Sequence, residues 1–331
     1  MPILFEIPAK FQLAEQLGTI ERVGAILKDS QTGKIVAHLQ ESAVGQGVIG
    51  SLPSMALGGP VNALGAGVKT GAEIYNTVQI AQLKHMVETM QLLQYSSIGI
   101  SLVGLGATVV GFAIINKKLT AIEKSVAQLA HKIDFHFEQL YQRELRWIFS
   151  RIAAQFQQAD IAKRMTAPKA EYLAIARSLA NDASIIQCEL AYRLNLDTFD
   201  EELFSLLTRT LMMANAARVE VLLLADELDG AHETARLIGR SYSELFDSLS
   251  PYELAEKKGQ LLLERSLNTT IHARKELLDM DTLVTSLRDI TDTALTRPLT
   301  IEALDKKGIS GNEYITRLGD EKENPILLLP A

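Results

Sequence analysis

Along most of this chain the apolar positions recur three and four residues apart, the spacing of one face of a helix. The departures lie toward the N-terminus. Val23-Gly-Ala-Ile-Leu27 and Lys34-Ile-Val-Ala-His-Leu39 are short β-prone runs around the turn-forming Asp29-Ser-Gln-Thr-Gly33, which predicts a β-hairpin region over 1–41. A lone hairpin is marginal in water, so this one must dock on something else.

Charge then vanishes. From Ser42 to Val68 there is no Asp, Glu, Lys or Arg, and the glycines together with Pro53 and Pro60 forbid one unbroken helix. An amphipathic helix is predicted from about Thr70 to Gln91, with Ile74, Val78, Ala81 and Leu83 set among Glu73, Lys84 and Glu88. A second uncharged stretch runs from Thr89 to Asn116, and its core is Ile98 to Ile115. As a helix these 18 residues span about 27 Å, close to the hydrocarbon thickness of a bilayer. The segment 42–116 is therefore expected to be membrane-active. Its inserting residues are Ile98, Ile100, Leu102, Val103, Gly104, Leu105, Val109, Val110, Gly111, Phe112, Ile114 and Ile115. Lys117 and Lys118 follow at once, where a cytoplasmic interface anchor belongs. Ser97 with Ser101, and Ala107 with Gly111, set small residues four apart, which lets helices approach closely in lipid.

A second reading is a soluble helical scaffold or partner-binding protein with the apolar helix buried in its core, because the central helix of a large bundle is also apolar all round. Glycine weighs against it: Gly99, Gly104, Gly106 and Gly111 each weaken a helix in water by roughly 1 kcal/mol relative to Ala, whereas membrane helices tolerate them.

Over 117–160 the pattern becomes a heptad seam at Leu119, Ile122, Val126, Leu129, Ile133, His136 and Leu140, the candidate oligomerisation face. No breaker lies between Gly111 and Phe149, so apolar helix and seam are expected to form one long rod. From 161 to 331 the chain reads as a helical bundle. Thr198-Phe-Asp-Glu201, Ser250-Pro-Tyr-Glu253 and Ser310-Gly-Asn-Glu313 are capping boxes that mark helix starts. Leu203, Leu207, Ala214, Ala217, Val221, Leu224 and Leu228 keep helical spacing up to Gly230, the expected stop, and Leu277, Met280, Val284 and Leu287 repeat the seam pattern. Arg297-Pro298 should end the last long helix, with an extended tail over 321–325. The expected fold is mainly α: an elongated helical bundle with a long apolar-then-heptad helix and a small N-terminal β-hairpin.

Composition narrows the function. With 47% hydrophobic residues in 331 the chain can build a proper core, which excludes general disorder. A net charge of −7, with basic residues spread along the chain, gives no phosphate-tracking surface, so no nucleic-acid partner is expected. Cys188, the one cysteine, excludes an internal disulfide framework and is expected to be a buried structural thiol beside Ile185 and Ile186. The N-terminus lacks the basic and apolar regions of a secretory signal, which predicts synthesis in the cytoplasm.

The chemical motifs are weak. Gly45-Gln-Gly47-Val-Ile-Gly50 fits a dinucleotide-binding pattern in letters only, because Pro53 and the glycines beyond it prevent the helix that must follow. His131, Asp134 and Glu138 share a helix face, but His136-Phe-Glu138 lacks the paired cysteines of a zinc deaminase. His136 within the seam fits a register or pH element better. There is no nucleophile elbow and no P-loop, so no cofactor, metal or catalysis is expected. The layout of residues 42–149 resembles, in hydropathy, the α-helical pore-forming toxins and effectors, which shelter an apolar hairpin until triggered. That resemblance implies a toxin-like or defence effector. Its partners would be membrane lipid, further copies of itself and a protein trigger. It would wait in the cytoplasm and associate conditionally with the cytoplasmic (inner) membrane.

Overall fold

A computed structural model describes residues 7–41, 138–264, 273–321 and 326–331. The protein is mainly helical, with a small antiparallel sheet. The elements are α1 (Ala9–Gln16), β1 (Ile20–Val23), β2 (Ile26–Asp29), β3 (Ile35–Glu41), α2 (Glu138–Ala162), α3 (Lys169–Leu194), α4 (Glu201–Leu224), α5 (Leu228–Phe246), α6 (Pro251–Glu264), α7 (Ala273–Lys306), α8 (Gly311–Asp320) and β4 (Ile326–Pro330). The amphipathic helix expected over 70–91, the apolar helix of 98–115 and the seam up to His136 lie outside the described residues.

The sheet is antiparallel throughout, in the order β1-β2-β3-β4. The expected hairpin exists between β2 and β3. Asp29 organises its turn, its Oδ1 accepting from the Gln31 and Thr32 amides. The run Val23–Leu27 is not one strand, however. Gly24, at φ +55°, opens a two-residue turn with Ala25 and splits the run into β1 and β2. The fourth strand comes from the other end of the chain, with Leu329 opposite His38 and Ile326 opposite Glu41.

In the bundle α4 is the central helix: 19 of its 24 residues are buried, on every side. It packs most extensively against α3, and also meets α5, α8 and α2, while α7 lies along α5, α6 and the sheet. One continuous apolar core runs from Leu27 and Leu39 in the sheet through Leu304 and Leu211 to Phe156 of α2. Phe199, Phe204, Phe246 and Tyr242 form an aromatic chain, with successive centroids 5.1, 6.4 and 5.8 Å apart, that joins the start of α4 to the end of α5.

Several boundaries differ from expectation. The cap of α4 is Asp200, which accepts from the Leu203 amide at 3.0 Å, and not Thr198. A carboxylate at that place meets the helix dipole as well as the free N–H. Gly230 is no stop, because α4 has already ended at Leu224 and the left-handed residue that turns the chain is Asp226, at φ 53°. Asp226 also accepts from the Asn312 amide at 3.0 Å, so its side chain ties that turn to α8. Pro298 does not end α7, which continues to Lys306. Packing on both sides of it, through the buried Ala294, Thr296, Thr300, Ile301 and Leu304, outweighs the one lost hydrogen bond. The capping serines at 250 and 310 stand as expected: the Glu313 amide donates to Ser310 at 3.2 Å and the Glu253 amide to Ser250 at 3.4 Å. Cys188 is exposed, not buried. Ile186 and Leu190 take the inward face of α3, and a residue two positions from each falls on the opposite side.

Candidate functional site

The residues singled out for insertion, the interface lysines and the seam from Leu119 to His136 lie outside the described residues, and Leu140 is placed only as part of the helical backbone of α2. What the structure places is the ground on either side of them: β3, which leads into residue 42, and α2, which begins by Glu138.

The sheet is held on α7 by polar contacts in an apolar setting, through β1, the β1–β2 turn and β3. Arg22 pairs with Asp289 at 3.2 Å, and the Ala25 amide donates to Thr296 Oγ1 at 3.1 Å. Thr300 Oγ1 meets His38 Nδ1 at 3.2 Å and accepts from Gln40 Nε2 at 3.4 Å. By strand alternation His38 and Gln40 share the face turned to α7, while Ala37 and Leu39 share the other. All four are buried. Burial pulls the His38 imidazole below its ordinary pKa, and the nearby positive charge of Lys307 acts in the same direction.

α2 carries two unlike faces. Leu145, Ile148, Phe149, Ile152, Phe156 and Ala159 are buried against the bundle. On the outer side Trp147 is 60% exposed, with the Arg151 guanidinium 4.0 Å from its ring centroid. Arg151 also forms an ion pair with the buried Asp182 of α3.

Inside the bundle, α4 bears Arg209, Asn215, Arg218 and Glu220 among its apolar residues. Asn215 donates to the Tyr242 hydroxyl at 3.1 Å, and Arg297 of α7 lies in the field of Glu220, Tyr242 and Tyr314. Burial raises the Tyr242 and Tyr314 hydroxyls and lowers Arg297, while Arg209 is pushed down to about 10. Two cavities flank Arg297, of about 10 and 20 Å³. Each has room for a water molecule and none for a substrate. At the other end of the bundle Lys258 bridges Glu201, at 2.5 Å, and Glu276, joining α6 to α4 and α7. Burial raises the Glu201 carboxyl against the pull of Lys258.

Sequence reading did not find these polar groups as a set, because they come from helices far apart in the chain; a charge recurring within an otherwise apolar helix, as at Arg209, Arg218 and Glu220, was the available signal. Among the described residues no group of three or more His, Cys, Asp or Glu is arranged to hold a metal ion, and no helix is long and apolar enough to cross a membrane. No family model, no curated protein and no solved structure matches this chain.

Proposed function

We propose that this protein is a non-enzymatic, membrane-acting effector of toxin-like or defensive type, whose Ile98–Ile115 segment enters the cytoplasmic membrane and which permeabilises it as a homo-oligomer. The observation that supports this most is the place of α4. The competing account needs an apolar helix for the middle of the bundle, and α4 fills that middle already, buried on all sides by its own partners. The uncharged segment, with its four glycines and its closing lysines, is better suited to lipid, where a helix satisfies its own backbone. A protein partner or other trigger would release the segment by binding the released form better than the sheltered one. The elongated rod of apolar helix and seam belongs to this proposal.

The test is dye release from anionic vesicles by the full chain, compared with Gly104→Asp and Val110→Asp. A charge at the bilayer centre costs about 3 kcal/mol on insertion scales, so leakage should fall at least tenfold in both variants while circular dichroism stays unchanged. Equal leakage by all three proteins contradicts the proposal. So does an intact chain that leaves vesicles sealed in the presence of every fraction of the host lysate, and the scaffold reading would then replace it.

A further inference from the structure

Asp289, Thr296 and Thr300 of α7 each meet the sheet: Asp289 the Arg22 guanidinium, Thr296 the Ala25 amide, and Thr300 both His38 and Gln40. Thr291, Thr293 and Thr296 give their hydroxyl hydrogens to carbonyls of their own helix. Thr300 uses its hydroxyl differently. Its oxygen accepts from Gln40 Nε2 at 3.4 Å, which leaves its hydrogen to fill the 3.2 Å contact with His38 Nδ1. Nδ1 is then the bare nitrogen of a neutral ring, with the proton on Nε2. A ring protonated on both nitrogens would set two donors against one hydroxyl oxygen and turn the hydroxyl hydrogen out of the contact. The surroundings do not compensate such a charge. Strands β2 and β4 set Ile26 and Leu329 opposite His38, and Arg297 and Tyr314 line a small cavity with Gln40 and Thr300. Lys307, exposed just beyond α7, adds its own positive field, and among the described residues no carboxylate offsets it. A second ring proton would therefore be an unpaired charge on a residue only 2% exposed.

We propose that His38 and Thr300 form a pH-sensitive latch: the neutral ring closes the sheet onto α7, and a proton on Nδ1 opens that interface before the bundle around α4 gives way. The latch does not depend on whether the 98–115 segment enters lipid. The strand it holds is the one that runs on into residue 42. Its sign follows from the two states of the ring. An opened ring takes up its proton at the ordinary 6.5 and a closed one only below that, so the latch is shut above 6.5 and weakens as pH falls from there. α4 carries no histidine, which separates the two parts of the molecule over this range. The other acid-sensitive group at the interface is Asp292, beside Gly24, whose carboxyl is raised by burial and by Asp289 and Asp247.

The Ala25 amide donates to Thr296 across this interface at 3.1 Å and so reports on it directly. Hydrogen exchange of the full chain, corrected for the intrinsic rate at each pH, should show Ala25 protection falling at least about threefold from pH 7.5 to 5.5, with α4 amides holding theirs. His38→Gln keeps an acceptor for the Thr300 hydroxyl and cannot take up the charge, so the fall should vanish in it. The intact chain supplies a check that needs no variant. Nitrogen-15 shifts of the His38 ring should show Nδ1 bare and Nε2 protonated at pH 7.5, with the ring charging over the same range in which Ala25 loses protection. A ring that carries its proton on Nδ1 at pH 7.5 overturns the proposal. So does protection that falls equally at Ala25 and in α4, which would be unfolding of the whole molecule, or a fall that survives in His38→Gln, which would belong to Asp292.

Discussion

A Cβ on Gly24 would meet the Asp292 carbonyl and sit 2.8 Å from the Thr293 amide nitrogen, at a backbone φ of +55°. Both strain and collision thus fall on one residue, and Gly24→Ala should lower unfolding stability in urea by at least about 2 kcal/mol. Gly33, also at positive φ but facing open space, should lose less when changed in the same way, about 1 kcal/mol. His38 makes a pH-dependent contribution of definite sign. Its folded pKa lies below the ordinary 6.5, so the unfolded chain takes up the proton first as pH falls. Stability is therefore full above 6.5 and declines as acid carries the solution from there toward the folded value. Of the charged groups on the elements around it, Lys307 is the one whose field acts on the ring. Thermal melts of His38→Gln should show a weaker dependence between pH 7.5 and 5.5 than the parent chain, and an identical dependence would contradict the role given to the buried ring.

Helix starts and ties between helices can be separated by paired variants. Asp200→Ala should cost about 1 kcal/mol and Thr198→Ala nearly nothing, since only Asp200 caps α4. Lys258→Met strands two partly buried carboxylates and should cost about 2 kcal/mol in the same urea assay. Lys306→Met breaks only the exposed pair with Glu302 and should change stability by less than about 0.5 kcal/mol. Much at this scale was readable from spacing alone: Ser250 and Ser310 mark α6 and α8, and the apolar spacing from Leu203 to Val221 marks α4. What was not readable had non-local causes. β4 is a strand because β3 offers it an edge, α7 passes Pro298 because the sheet and α5 grip it on both sides, and Cys188 points outward because Ile186 and Leu190 claim the inward face. The candidate insertion and oligomerisation residues were found by hydropathy, whereas the outward face of α2 became visible only once the bundle showed which side of that helix it buries.

At the scale of the whole molecule, a single core joins the sheet to the bundle, and its centre belongs to α4. α4 is long enough to span a bilayer but carries Arg209, Arg218 and Glu220, which keep it in protein. The segment 98–115 bears no charge and ends at two lysines. The bundle thus holds together through α4, while the segment 98–115 that precedes it in sequence carries none of the charges that would confine a helix to protein. The central claim is that this segment exchanges a protein environment for lipid. The most direct measurement places an environment-sensitive fluorophore on Val110→Cys in the Cys188→Ser chain and records its emission as anionic vesicles are added under conditions that give leakage. The account predicts a blue shift, together with quenching by lipids that carry a quencher deep in the acyl chains. Emission that stays at its vesicle-free wavelength while the vesicles leak, with no deep quenching, would contradict it.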